Sequence, residues 1–254
     1  MEAARNICLL IAYDGSDYQG WQRQAAAPTI QGEIEERLAI ITTKSVTLYG
    51  AGRTDAGVHA TGMTANFHTN SAISRAQLQK SLNSMLPPAI RIFGVREMDG
   101  AFHARFSCRG KRYRYFIQTA PVQPPFSRRY ALHTPAALDD ERMQSCLNTL
   151  IGTHDFSSFE NSGSRDKEKA DGRGAVRTLS AAKLQRHSQD MLSIELTGDG
   201  FLRNMVRNIV GTMLQAGEKK IGVEDFRAIL TARNRSLAGP TAPPYGLFLS
   251  EVLY

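Results

Sequence analysis

The chain has 254 residues, 42% of them hydrophobic, enough for a substantial core and for one large domain or two lobes. Lys and Arg number 31 against 24 Asp and Glu, a net charge of +7, which suits either a polyanion partner or a solvated basic surface. Cys8, Cys108 and Cys146 are far apart and odd in number; this excludes a disulfide framework and a CxxC pair and fits a reducing, cytoplasmic compartment.

The apolar run 7–12 is too short to span a bilayer, and no membrane segment or export signal is expected. Residues 6–13 read as a buried strand stopped by Asp14-Gly15. The polar loop that follows, 14–24, carries Trp21, the single tryptophan. Such a ring suits either stacking on a base or a place against the core, and composition favours the core. Thr29 suits a helix cap, with Ile30, Ile34, Leu38 and Ile41 at helical spacing. Residues 45–49 then suggest a short strand, 62–69 another, 74–84 a helix ended by Pro87-Pro88, and 90–98 a strand. The first half therefore predicts β-α-β-β-α-β.

The second half predicts the same order without visible identity. A strand at 111–119 leads through a Pro-rich connection to a helix at about 138–150, capped by Asp139 or Asp140. Residues 160–175 read as a mobile polar loop. Strands follow at about 176–185 and 191–197, helices at 201–216 and 223–233, and a closing strand over the last eight residues. The expectation is an α+β fold of two similar lobes, 1–104 and 105–254, with mostly antiparallel sheets.

The excess charge is local. Arg105, Arg109, Lys111, Arg112, Arg114, Arg128 and Arg129 fall in one stretch without an acid, and the rest of the chain is balanced. On a strand, Lys111, Tyr113, Tyr115 and Ile117 face one side, and Arg112, Arg114 and Phe116 the other. Cations interleaved with tyrosines suit phosphate gripping and base stacking; a charge-protected edge strand is the other reading.

Residues 50–60 are built of small residues around Arg53 and Asp55. Such a loop turns tightly and lets a ligand approach. Asp55 reads either as a reactive carboxylate or as a turn aspartate bonded to its own backbone. Asp55 and His59 are four apart, but Gly57 disfavours a helix and no third ligand is near, so no metal is expected. No GxxxxGK[ST] or GxGxxG cradle is present. In the helix expected at 201–216, Arg207 sits in an apolar setting and calls either for an anion or for a snorkelling route to solvent.

The run Gly52-Arg53-Thr54-Asp55-Ala56-Gly57-Val58-His59-Ala60 resembles the signature loop of TruA-type tRNA pseudouridine synthases. Four further blocks resemble the same family in the same order. They are Tyr13-Asp14-Gly15 with Gly20-Trp21-Gln22-Arg23-Gln24, Lys111 to Tyr115, Phe201-Leu202 with Met205 to Asn208, and Ala242-Pro243 with Gly246-Leu247. Residues 160–175 have no clear match.

The resemblance implies a homodimeric isomerase that converts uridine to pseudouridine at positions 38, 39 or 40 of the tRNA anticodon stem-loop, without cofactor or metal. It implies two α/β lobes with the active-site cleft between them. It assigns catalysis to Asp55, attacking the nucleotide or abstracting a sugar proton, with Arg207 as its partner and Tyr113 stacking on the uracil and assisting proton transfer. Arg53, Lys111, Arg112, Arg114 and His59 are the further substrate contacts expected. A non-catalytic RNA-binding protein would account for the basic strand but gives no reason for the Asp55 loop.

Overall fold

The computed structural model describes residues 4–161 and 173–254, so most of the stretch 160–175 lies outside the described residues. In chain order, the first elements are β1 (Arg5–Tyr13), α1 (Ile30–Thr42), β2 (Tyr49–Gly50), β3 (His59–Thr69), α2 (Arg75–Met85) and β4 (Ile90–Met98). Next come β5 (Gly110–Gln118), β6 (Leu132–His133), α3 (Asp140–Asn148), β7 (Gly152–Asp155), β8 (Val176–Ser188) and β9 (Met191–Gly198). The chain ends with α4 (Met205–Gly217), α5 (Val223–Ala232) and β10 (Leu247–Leu253). The fold is α+β. Among the described residues, no helix is long and apolar enough to cross a membrane.

The chain divides into two compact units. One runs up to Arg109 and takes back Phe248–Tyr254; the other is Gly110–Leu247. The sequence suggested a cut at 104/105 with the whole tail in the second lobe. The tail returns because Phe248 and Leu249 of β10 pair in parallel with His59 and Ala60 of β3. Arg109 stays with it, its N–H donating to the Leu253 carbonyl at 2.8 Å.

In the first unit the strands lie in the order β4-β1-β3-β10, with β2 on β3. β1 buries Ile7, Leu9 and Ile11; of the stripe expected on α1, Ile30, Ile34 and Leu38 are fully buried and Ile41 is half-buried. Thr29 caps α1, its hydroxyl accepting from the Gly32 N–H; Ser74 and Gln77 close a capping box on α2.

In the second unit the order is β5-β9-β8-β7, with β6 in parallel on β5. The two units share an internal arrangement: β3 lies between β1 and β2 as β9 lies between β5 and β8. Asp139 caps α3, accepting from the Arg142 N–H at 3.0 Å. Tyr115, Ile117, Leu192, Ile194 and Leu196 form the buried sheet face, and Met205, Ile209, Val210 and Met213 the buried side of α4.

Three expectations change. The strand expected at 45–49 shrinks to Tyr49–Gly50. β6 and β7 are extra strands of two and four residues. α4 starts at Met205 rather than 201, because Asn204 adopts a left-handed conformation at φ 59°. Asn tolerates that region better than other side chains, and a helix cannot run through it.

Tyr115 donates its hydroxyl to the Pro243 carbonyl at 2.8 Å. Burial pushes that hydroxyl far above its ordinary range. An unfolded tyrosine loses its proton from about pH 10. The folded chain keeps it, so this contribution to stability is intact below that pH and declines as pH rises beyond it. Tyr115→Phe should cost about 1 kcal/mol at neutral pH and flatten part of the alkaline decline in Tm; an unchanged alkaline slope would contradict this.

Candidate active site

In the first unit the candidate residues sit on the loop between β2 and β3. α1 holds a first loop, 14–24, and that loop holds the second. The N–H groups at the start of α1 donate outward, Ile30 to the Gly20 carbonyl at 3.2 Å and Gln31 to the Trp21 carbonyl at 3.0 Å. These are donors that a helix start leaves without an intrahelical partner. Arg23 pairs with Glu35 of α1 at 3.0 Å.

Loop 14–24 then grips 50–58. The Trp21 N–H donates to the Thr54 carbonyl at 3.1 Å, and the Gly57 N–H to the Tyr18 carbonyl at 3.3 Å. The Tyr13 and Thr54 hydroxyls share a bond of 2.8 Å. Gly20, at φ +93°, passes so close that a Cβ there would lie 2.6 Å from the Thr54 carbonyl oxygen. Trp21 is 2% exposed and lies over Gly50. The core place that composition favoured for Trp21 is the one found.

This grip sorts the loop's side chains. Thr54 and Val58 are buried, and Arg53 and Asp55 are exposed. Asp55 is thus presented to solvent by a backbone fixed on both sides of it. His59 is fully buried. Its Nδ1 accepts from the Gly15 N–H at 3.1 Å and lies 3.2 Å from Asp14 Oδ1, and its ring stacks on Phe248 at 4.6 Å. His59 therefore ties the end of β1 and β10 to the Asp55 loop.

In the second unit, β5 alternates as expected. Tyr113 and Tyr115 are buried; Lys111, Arg112 and Arg114 are half-buried. Tyr113, 8% exposed, packs edge-on against Phe201 at 5.0 Å. The acid-free stretch is met by an acid from its neighbour. Glu195 of β9 lies opposite Arg114 in the antiparallel register, 2.7 Å from its guanidinium and 3.6 Å from that of Arg112. That pairing was not read from the sequence. The signal was the acid at a polar position of an alternating strand.

Arg207, on the first turns of α4, is half-buried. Its Nε donates to the Ala242 carbonyl at 2.7 Å, and one terminal nitrogen to Asn204 Oδ1 at 2.9 Å. The Ala242 N–H donates back to the Arg207 carbonyl at 3.1 Å. A Cβ on Gly211 would overlap the Pro240 carbonyl oxygen, so the 238–243 segment lies directly on α4.

Asn208, fully buried, fixes that segment from below. It donates to the Phe159 carbonyl and Asn161 Oδ1 at 2.8 and 2.9 Å. It accepts from Arg235 at 3.0 Å and from the Thr241 hydroxyl at 2.6 Å. Asn204, Asn208, Arg235 and Thr241 were missed as site supports. Asn208 stood in the block that carries the resemblance but was given no role, and the signal for Asn204, Arg235 and Thr241 was proximity to Arg207 or to the Ala242-Pro243 block.

Residues 9–107 and 147–254 match the family described as tRNA pseudouridine synthase. Asp55, His59 and Arg207 lie in the matched stretches, and Lys111 to Arg114 between them. The chain is 56% identical over 250 residues to tRNA pseudouridine synthase A 1 of Desulfotalea psychrophila, covering 98% of this chain and 100% of that one. It is 44% identical to tRNA pseudouridine synthase A of Acetivibrio thermocellus, with coverage of 98% and 100%. To tRNA pseudouridine synthase A 1 of Protochlamydia amoebophila it is 42% identical, with coverage of 97% and 95%.

Asn208→Ala would take the amide donor from the Phe159 carbonyl and Asn161 and one acceptor each from Arg235 and Thr241, in a fully buried position. The expected cost is about 3 kcal/mol. Calorimetry should show a Tm lower by roughly 6–12 °C. A Tm within about 2 °C of the parent would show that this network does not hold the 238–243 segment.

Proposed function

Because the chain belongs to the tRNA pseudouridine synthase family, whose members isomerise uridine in tRNA, we propose that Asp55 is the carboxylate that carries the reaction. The observation behind this is an exposed acid fixed in a small-residue loop of an otherwise RNA-seeking protein. A protein that only bound RNA would gain nothing from it, since a carboxylate repels phosphate.

The isomerisation breaks the N1–C1′ bond of uridine and makes a C5–C1′ bond. C5 gives up its hydrogen as a proton and N1 gains one, so atoms and electrons balance. The carboxylate is proposed either to attack the nucleotide or to abstract a proton from the sugar. Arg207 is the proposed cationic partner of that carboxylate. Its cradle of Ala242 and Asn204 leaves little rotameric freedom, which is what a pre-set electrostatic group requires.

Tyr113 is the proposed stacking partner of the uracil. Arg53, exposed beside Asp55, is proposed to hold the space or phosphate of the everted nucleotide. Lys111, Arg112 and Arg114 are proposed phosphate contacts, the two arginines tempered by Glu195. His59, being buried, is proposed to serve substrate through the loop it fixes. The working form proposed is a cytoplasmic homodimer acting on positions 38, 39 or 40 of the anticodon stem-loop.

Primer extension on unmodified tRNAs incubated with the protein should map pseudouridine to positions 38–40. Product elsewhere would contradict the site assignment, and no product would contradict the activity. Arg207→Lys keeps the charge but loses the forked contacts. It should lower the single-turnover rate by about 100-fold; a rate within about twofold would remove Arg207 from the mechanism.

A further inference from the structure

The loop between β4 and β5 carries an aromatic ladder that the catalytic account leaves unused. Tyr49 of β2 stands 5.1 Å from the His103 ring, and His103 stands 4.4 Å from the Phe106 ring. Tyr49 is 43% exposed and Phe106 75%. The Arg105 guanidinium lies 5.8 Å from the Phe106 centroid.

This exposure is not the product of a slack loop. The side chains of Asn6 and Asn66, 2% and 1% exposed, reach it from β1 and β3. Asn6 donates to the Asp99 and Phe102 carbonyls at 2.9 and 2.8 Å. Asn66 donates to Asn6 Oδ1 at 2.9 Å and accepts from the Ala104 N–H at 2.8 Å. The Tyr254 hydroxyl donates to the Ala104 carbonyl at 2.8 Å. Within the loop, Ser107 N–H donates to the His103 carbonyl at 2.9 Å, and Arg105 N–H to His103 Nδ1 at 3.1 Å. Two buried amides are thus committed to presenting a phenyl ring to water.

A ring held out this way contributes little to folding, since its apolar area stays wet. Its surroundings specify what would cover it. No Asp or Glu occurs from residue 100 to 138, and Arg105 and Arg109 flank the ring on both sides in sequence. β2, which carries Tyr49, runs directly into the Asp55 loop. An aromatic face among cations, next to a loop read as receiving an everted uridine, suits the π-face of a nucleobase.

We propose that Phe106, backed by His103 and Tyr49, is a stacking site for a second base of the bound tRNA, distinct from the reacting uridine. The base takes the phenyl face, and Arg105 swings from that face to the adjoining phosphate. This inference rests on the tRNA reading above.

Steady-state kinetics on unmodified tRNA test it, with the unsubstituted enzyme run first. If that enzyme forms no pseudouridine, the functional reading fails and not the stacking site alone. Given activity, Phe106→Ala should raise KM for tRNA about tenfold, with a smaller change in kcat. Phe106→Trp should restore KM, and its added fluorescence, above that of Trp21, should be quenched by tRNA. An unchanged KM in Phe106→Ala overturns the proposal. So does a Phe106→Trp signal that tRNA leaves unaltered, a readout that holds even if the alanine variant folds poorly. A shift in sedimentation coefficient on substitution would assign the ring to contact between protein copies and overturn it equally.

Discussion

The structure of the first unit turns on one close approach, Gly20 against the carbonyl of Thr54, locked by the Trp21 N–H. Neither loop has regular structure of its own. Each satisfies backbone groups of the other, and α1 satisfies the first of them through donors that a helix start leaves unmet. The result is a rigid path from a helix terminus to a single exposed carboxylate. A side chain at residue 20 would separate the loops and leave several backbone groups unpaired where water enters poorly. The role proposed for Asp55 asks for a reactive group fixed before substrate arrives, a demand that a loop of small residues held in this way meets.

The second unit solves the same problem for a cation. A guanidinium on a long, flexible stem is costly to immobilise. Here one carbonyl and one asparagine amide hold it, and the asparagine is the residue whose left-handed backbone starts the helix. The segment bearing that carbonyl is pressed on Gly211 and tied to Asn208, Arg235 and Thr241. The basic strand is less simple than its composition. Glu195 draws on Arg112 and Arg114, so their attraction for phosphate is shared with an internal partner. In the proposed RNA complex, that sharing would temper non-specific attraction to phosphate.

Much of this was legible from residues alone, and for physical reasons. A continuous apolar run revealed β1, alternation of Leu192, Ile194 and Leu196 revealed β9, helical spacing revealed α1, and Thr29 and Asp139 marked helix starts because their side chains meet backbone donors. What escaped was what depends on distant partners. β6 and β7 are too short to show a period and exist by pairing with β5 and β8. The return of β10 to the first unit is a pairing with β3 that no local pattern encodes. The start of α4 was misread because Leu202 extends the apolar stripe, whereas the backbone at Asn204 breaks the helix. At the site, Asp55 and its small neighbours stood out by composition. The polar supports behind Arg207 and the burial of His59 did not, since hydrogen-bond partners far along the chain leave no spacing to read.

The central claim is that the clamped carboxylate of Asp55 performs chemistry rather than shaping a turn. Tritium release from C5-labelled uridine in tRNA, measured on Asp55→Asn, tests it most directly, because the amide keeps size and turn geometry while removing the charge. The account predicts that release is abolished while tRNA affinity stays within about tenfold of the parent. Release at a rate near the parent's would contradict it.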